Sequence, residues 1–498
     1  MHTISKYFSL LDGLKLVRDP IYGFIEVPVE FLPVIDNKLF QRLRWVSQLP
    51  LEQLVYPSAQ HSRFEHSLGT MYLSMLTAIT LLQDGISKKR IYSAIKDDAN
   101  TTHIPSKKLG KFFVTVAGLV GLLHDVGHAP FSHTLEDATK YTQKDIEYNH
   151  EIVGFKISEH ILKNYTKGTR GKDEGFREDV AKTVLAVLNK SISLSELSPI
   201  QKILRTIIDN VIDVDKGDYV LRDSYHCGVT YGNYGLERLW RHVRITSDYT
   251  LGVSPKGAIE AWSLRFARYK MYKNVYKHHV RNITDALLIK ILANSFDILD
   301  KENLRLVLPF GGTNLQDEET LLRFAFWTDN QFLKILTEIE EGHFTKDFNL
   351  NVKPLIEKFL KRELHKRYHK ILLEQFGIVK IDKKTIIRIR KVLEDIEHNK
   401  NVELSFIITR DILPPVFTKD VQASIRVINR RGKEIPLAEY LGFSIDRLLK
   451  GYEDVDVNEE LDKYNEPGFY LEIFAPKNTN ENLKKEIEEH LDSEFSRQ

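Results

Sequence analysis

The 498-residue chain has one cysteine, Cys227, which excludes an internal disulfide and a multi-thiolate zinc site. Long apolar runs are scarce. The most conspicuous, Val116 to Leu123, is far short of the ~20 residues that span a bilayer, and it runs straight into His124-Asp125. Neither sign of charge prevails: 71 Lys and Arg against 69 Asp and Glu leave +2, so no global field calls for nucleic acid or an anionic membrane. With 26 Gly and 16 Pro, collagen-like and Pro/Gly low-complexity classes are excluded, and no repeat of 20–50 residues is visible. The opening Met1-His2-Thr3-Ile4-Ser5-Lys6-Tyr7 lacks the charged region and apolar run of a signal peptide. A soluble, cytoplasmic protein is the expectation.

What is present is an ordinary folded composition, 42% hydrophobic and 28% charged, at a length of about three average domains. Lys15 to Val27 carries turn punctuation at Asp-Pro and Tyr-Gly and predicts a small hairpin. Pro33 to Leu49 has apolar residues near helical spacing, and Phe64 to Leu82 places Leu68, Tyr72, Leu76 and Ile79 on one stripe with His66 on a neighbouring face. Phe112 to Leu123 is apolar all round, the mark of a helix buried on every side. Further helices are expected over 151–162, 180–188 and 200–211, with one long helix or two in series over 258–299. Segments 88–111 and 167–178 read as mobile loops, and 228–257 as a hairpin or irregular loops. Strand-like alternation appears at 403–409, 424–429 and 469–474. The fold class expected is mainly α: a helical core over residues 1–340 and a smaller mixed α+β region over 341–498.

Seven of the 18 histidines fall between residues 61 and 150: His61, His66, His103, His124, His128, His133 and His150. Histidine ligates metals and moves protons near neutral pH, so a local excess points to a site. His124-Asp125 closes the apolar helix just before Gly127 and Pro130. A carboxylate there needs a partner, since desolvating a lone charge is prohibitive; a divalent cation, a histidine or an arginine would serve. His66 is the best third ligand, and Asp213, Asp215 and Asp218 are candidates for a fourth, while Asp213 and Asp218 can alternatively cap a helix or pair with Arg222. Nitrogen and oxygen without thiolate suit Mn²⁺, Mg²⁺, Fe²⁺ or Zn²⁺. His61 and His103 read as ordinary hydrogen-bonding residues, and Cys227 as an inert small side chain.

Three segments taken in order are more specific than any one of them: His61-Ser62-Arg63-Phe64-Glu65-His66-Ser67-Leu68-Gly69, then 122–133 with Leu-Leu-His-Asp-Val-Gly-His-Ala-Pro-Phe-Ser-His, then 213–223 with Asp-Val-Asp-Lys-Gly-Asp-Tyr-Val-Leu-Arg-Asp. The chain resembles the HD-domain phosphohydrolases from about Lys15 to about Leu299, most closely the branch of deoxynucleoside triphosphate triphosphohydrolases. The resemblance implies a helical HD core and hydrolysis of dNTPs to deoxynucleoside and inorganic triphosphate. It implies His66, His124, Asp125 and Asp215 as ligands of one divalent ion, with His128, His133 and His150 catalytic and His133 as the general acid. Arg63, Lys216 and Arg268 match the family's phosphate-binding positions, and the resemblance further implies that Tyr219 packs under the sugar, Asp223 accepts from the 3′-hydroxyl, Gln48 and Leu49 contact the nucleoside, and Tyr276 and His278 line the base pocket. Lys15, Asp36, Gln41, Arg44, Val55 and Phe64 match a regulatory pocket for GTP or dGTP at a subunit junction, which implies a homo-oligomer, a tetramer by analogy. The alternatives are another HD phosphohydrolase acting on monophosphates, cyclic nucleotides or polynucleotide ends, and a nucleotide-sensing or nucleic-acid-binding protein with a secondary HD site. For the last, the basic run Lys353 to Lys400, with 14 Lys/Arg against 7 Asp/Glu, is the feature to weigh, though a solvated helix surface explains it as well.

Overall fold

The computed structural model describes residues 13–167, 174–309, 318–341, 352–410, 425–442 and 468–496. Strands β1 (Leu14–Asp19) and β2 (Gly23–Pro28) pair antiparallel as the hairpin read from the sequence. The stretch predicted as one helix from Pro33 breaks into three short turns: Leu32–Ile35, Lys38–Gln41 and Arg42–Trp45. The interruption is local chemistry: the Asn37 side chain accepts from the Leu39 amide and starts a new turn.

Helix α1 (Arg63–Gln83) is capped by Ser62, whose hydroxyl accepts from the Glu65 amide. It packs along α2 (Leu109–Leu123), in which every residue but Lys111 is buried. Phe112, Phe113, Val114 and Leu119 are fully inaccessible there, each side chain contributing about 1.5–3 kcal/mol of burial. A Cβ on Gly121 would collide with the Ser74 hydroxyl and the Thr70 carbonyl, so glycine permits the close approach of the two helices. The segment read as a mobile loop from Lys88 is helical over Gly85–Asp97, capped by Asp84 and anchored by buried Ile91, Ala94 and Ile95. Then follow α3 (His133–Tyr141), α4 (His150–Lys167), the helices Glu174–Leu188 and Pro199–Ile208, and α5 (Val214–His226). Helix α6 (Ala258–Met271) gives way to a π-turn at Tyr272–Tyr276 and then to α7 (His279–Ile298), two helices in series.

Strands β3 (Val243–Ile245) and β4 (Leu251–Val253) form the hairpin expected in the glycine-rich stretch. They continue into the C-terminal chain, because β4 pairs in parallel with β7 (Arg426–Ile428), which pairs with β8 (Glu434–Pro436). A second sheet, ordered β5 (Lys366–Leu372), β9 (Phe469–Ala475), β6 (Ser405–Arg410), is backed by α7, while α8 (Lys383–Lys400) packs against α3 and the helix Leu483–Phe495. The architecture is a helical core with a mixed α+β C-terminal region. Among the described residues no helix is long and apolar enough to cross a membrane.

Candidate metal centre and active site

His66 on α1, His124 and Asp125 at the end of α2 and Asp215 on the first turn of α5 converge on one point. His66 Nε2 lies 3.3 Å from His124 Nε2, 3.0 Å from Asp215 Oδ1 and 3.7 Å from Asp125 Oδ2. His124 Nε2 lies 3.3 Å from Asp125 Oδ1 and 3.4 Å from Asp215 Oδ1. The other ring nitrogens decide what these atoms carry. His124 Nδ1 sits 2.8 Å from the Gly121 carbonyl, and His66 Nδ1 sits 2.8 Å from the Asp218 carboxylate. Both are acceptors, so Nδ1 donates in each ring and the two Nε2 lone pairs face one another and two carboxylates. Nitrogen and oxygen ligands about 2.0–2.2 Å from a shared ion stand about 3–3.5 Å apart, so the donor set fits a divalent cation.

The support for His66 is itself a buried network. Asp218 accepts from Tyr22 Oη at 2.9 Å and from Nε and Nη2 of Arg222 at 2.8 Å each, while Arg222 Nη1 reaches Asp19 at 2.8 Å. Gly69 lets this cluster lie against α1, since a Cβ there would overlap the Asp218 carboxylate and the Arg222 guanidinium. Burial disfavours the imidazolium of His66, but the hydrogen bonds its ring donates to the Asp215 and Asp218 carboxylates outweigh it and carry the pKa up to about 10, so a divalent cation and a proton compete for Nε2. Burial likewise opposes ionisation of Asp215, and the two histidines overcome it, holding the carboxyl well below the usual range. Of the three aspartates weighed from the sequence, only Asp215 faces the cluster. Asp213 caps α5 by accepting from the Lys216 amide at 2.8 Å, and Asp218 pairs with Arg222.

The turn after α2 carries the histidine trio. Phe131 and Ser132 take φ of 53° and 49°, the left-handed region that costs a non-glycine residue energy and is held by its surroundings. Buried Arg42 donates to the carbonyls of Val126, His128 and Trp327, and Asp329 accepts from the Phe131 amide at 3.0 Å. So fixed, His128 stacks on His150 with ring centres 4.0 Å apart, and His133 meets both edge-on at 5.1 and 5.2 Å. Glu136 Oε2 lies 2.7 Å from His150 Nδ1 and 3.7 Å from His133 Nδ1. Burial would raise the Glu136 carboxyl, but both histidines hold it well below the usual range. Burial, with Arg63 and His150 adding to it, pushes His128 well down, so its ring is neutral. His133 is the most open of the three, its side chain 59% exposed.

One cleft of about 470 Å³ gathers Gln48, Leu49, Arg63, Asp125, His128, His133, His150, Asp215, Tyr219, Asp223, Arg268 and Tyr276. Arg63 Nη1 reaches Asp125 at 2.5 Å and its Nε reaches Ser132 Oγ at 3.0 Å. Arg268 Nε donates to Tyr219 Oη at 2.8 Å, and Tyr276 Oη donates to Asp223 at 2.7 Å. His61, read as ordinary, is buried behind this wall with Nε2 2.7 Å from Asp223 and its ring stacked on His226. His103 does pair with Asp179 near the surface, away from the cleft.

Some expected members lie elsewhere. Lys216 is drawn to Asp213 at 2.5 Å and lines a smaller cleft of about 150 Å³ that also touches His124, Asp125 and Asp215. His278 caps α7 and faces Tyr56 rather than the main cleft. Of the regulatory set, Gln41, Arg44 and Phe64 are contiguous: Arg44 Nε donates to Gln41 at 2.8 Å and its guanidinium lies 3.6 Å above the Phe64 ring. Lys15 on β1 and Asp36 are exposed, Val55 is half-buried, and no hydrogen bond joins their side chains to that trio among the described residues.

Comparison with known proteins bears on this geometry. Residues 63–223 match the HD domain family model, a span that opens on Arg63 and closes on Asp223. This segment has the sequence pattern of an HD domain. The chain is 33% identical over 300 residues to an uncharacterised protein of Methanocaldococcus jannaschii, covering 58% of this chain and 53% of that one. It is 26% identical over 351 residues to the human deoxynucleoside triphosphate triphosphohydrolase SAMHD1, covering 66% of this chain and 51% of that one. YwfO of Bacillus subtilis, also uncharacterised, is 29% identical over 293 residues, or 58% of each chain. The matches thus span about half the length of these relatives. The fold resembles a phosphohydrolase from Bacteroides thetaiotaomicron with a TM-score of 0.60 at 22% identity, over 93% of this chain and all of that one. A hypothetical protein of Aquifex aeolicus gives 0.57 at 23% identity, over 97% and 99% of the two chains. The His and Asp donors that converge within the segment matching the HD domain model are a set that could hold a divalent metal ion.

Proposed function

We propose that the protein is a deoxynucleoside triphosphate triphosphohydrolase, releasing deoxynucleoside and inorganic triphosphate. One observation carries the reading: a single cleft joins the carboxylates Asp125 and Asp215, the histidine trio, three arginines and a carboxylate flanked by tyrosines. In this account His66, His124, Asp125 and Asp215 hold a divalent cation, which supplies charge neutralisation at phosphate and a more acidic water. Arg63 and Arg268 bind phosphate oxygens through their guanidinium forks. Tyr219 packs under the sugar and crowds the 2′ position, and Asp223 accepts from the 3′-hydroxyl with His61 and Tyr276 fixing its two oxygens. His133 delivers a proton from Nε2 to the departing 5′-oxygen, while Glu136 sustains the charged ring and His150 orients it. His128, neutral and stacked on His150, donates to the phosphate end.

The similarity to SAMHD1 proteins supports the substrate class. A guanine-nucleotide activator bound by Lys15, Asp36, Gln41, Arg44, Val55 and Phe64, in a homotetramer, belongs to the same proposal; the Gln41–Arg44–Phe64 contacts support it. Residues 341–498 are proposed as a separate region that closes the far end of the cleft through Ile407 and Ile408. A nucleoside monophosphate or cyclic nucleotide is the second reading, favoured by the diversion of Lys216 to Asp213 outside the main cleft. Chromatography of products from each dNTP, alone and with GTP, separates the readings. Triphosphate and deoxynucleoside are expected; release of single phosphate or pyrophosphate rejects the chemistry proposed.

A further inference from the structure

Most charged side chains on the cleft wall are already matched by a neighbour. Arg63 has Asp125, and Arg281 has Asp285 and, at 3.4 Å, Glu52. Two cations lack a carboxylate within ion-pair distance among the described residues: Arg268, which donates to Tyr219, and half-buried Lys277, whose ammonium has only the Tyr272 ring, its centroid 5.8 Å away. The Lys277 backbone is fixed by the π-turn, where its amide donates to the Tyr272 carbonyl at 2.9 Å. Burial and the neighbouring Arg281 both depress its pKa, so the ammonium gains from any ligand that offers it an acceptor.

Its position along the cleft says which part of a nucleotide it meets. From His66 at the metal cluster the rings step outward, Tyr219 at 6.4 Å and then Tyr276 at a further 6.2 Å, with the Tyr276 hydroxyl on Asp223. Lys277 follows Tyr276 directly in the chain and lines the same cleft. The cleft also offers apolar and aromatic surface in Leu49, Ile407, Ile408 and Tyr272, while the charged groups nearest Lys277 include Arg281 and Asp137. The apolar and aromatic surfaces can cover the faces of a base but cannot read its edge.

We infer that Lys277 reads the base edge and favours bases with an oxo group at purine C6 or pyrimidine C4 over those with an amino group there. An ammonium has donors and no acceptor. Guanine offers N7 and O6 side by side and thymine offers O4, whereas adenine and cytosine place an amino donor at the corresponding position. A half-buried cation facing an amine loses water without gaining a partner. The inference rests on the dNTP reading above.

The experiment measures kcat/KM for dGTP, dATP, dTTP and dCTP with saturating GTP in every reaction, on the full chain and on Lys277→Gln, Lys277→Met and Lys277→Arg. The expected result is a dGTP:dATP and dTTP:dCTP preference of about tenfold in the unmodified protein, the scale of one charged hydrogen bond. That preference collapses toward one in Lys277→Gln and Lys277→Met and survives in Lys277→Arg. Equal loss for all four substrates overturns the inference, because it makes Lys277 a phosphate contact or a structural residue. Turnover of all four with no preference in the unmodified protein also overturns it while leaving the dNTP reading intact. Absence of triphosphate from every reaction defeats the dNTP reading itself, and the inference with it.

Discussion

Replacing Asp218 by asparagine separates what supports the metal centre from what supports the fold. Asp218 is completely buried and accepts four hydrogen bonds, one of which fixes the tautomer of His66. Asparagine keeps the shape but removes the charge, so Arg222 retains one carboxylate, Asp19 at 2.8 Å. Unpairing a buried ion pair costs about 3–5 kcal/mol, and the surviving Asp19 contact puts this case near 3. Loss of an outer carboxylate that orients a ligating histidine typically weakens metal affinity about 10- to 100-fold, or about 1.4–2.7 kcal/mol. Urea unfolding of the metal-free protein reads the first effect, and chelator-competition titration well below the melting temperature reads the second. Asp19→Asn is the control: it touches Arg222 but not His66, so it lowers stability and spares metal affinity. If both variants weaken metal binding equally, the loss travels through general destabilisation and the account of His66 is wrong.

His133→Ala is expected to depress turnover by about 10²–10⁴ while metal content per chain stays unchanged, read by kinetics and elemental analysis on one preparation. Arg42→Ala orphans the buried carbonyls of Val126, His128 and Trp327 and is expected to cost about 3 kcal/mol or more in urea unfolding, with activity falling as the 126–133 turn relaxes. Glu403 has its pKa lowered to about 2: burial opposes the charge, but His365 and Lys358, the latter 2.6 Å away, prevail. Its contribution is therefore present above pH ~4.5, where the unfolded carboxyl ionises, and is lost as pH falls toward 2; discounted for its exposure it amounts to about 1–2 kcal/mol. Glu403→Gln should flatten the stability profile across that acid window in denaturant titrations, and an unchanged slope would discard the assignment.

Two of the candidate metal ligands are legible from local chemistry, while Asp215 is singled out from Asp213 and Asp218 only by the family resemblance. His124 and Asp125 terminate an apolar helix, and a carboxylate there must be matched. Glu136 left no such trace, because its role arises from His133 one helical turn away and from His150 brought back by a separate helix. His61 likewise gains a function only when α5 sets Asp223 against it, 162 positions along the chain. Nothing in the sequence sets Arg42 apart from the other cations, yet it is 2% exposed and holds the strained turn. The basic run from Lys353 was read as solvated, and much of it is. Arg390 is the exception, its guanidinium shared among the Tyr141 carbonyl, Asp297 and Asn294. Spacing predicts which face of a helix is apolar; it does not predict which distant backbone carbonyl an arginine will find. The register of the cleft shows the same limit: of two adjacent residues, Lys277 lines it and His278 does not, because the π-turn shifts the phase just before them.

The most direct check on the whole account is the divalent metal content of the purified chain beside that of His66→Ala and Asp215→Ala, each first shown to be folded. About one ion per chain in the unmodified protein, and a loss of it in both variants, is the result predicted. Well-folded variants that retain the ion at full occupancy would contradict the claim that these lone pairs converge to hold it.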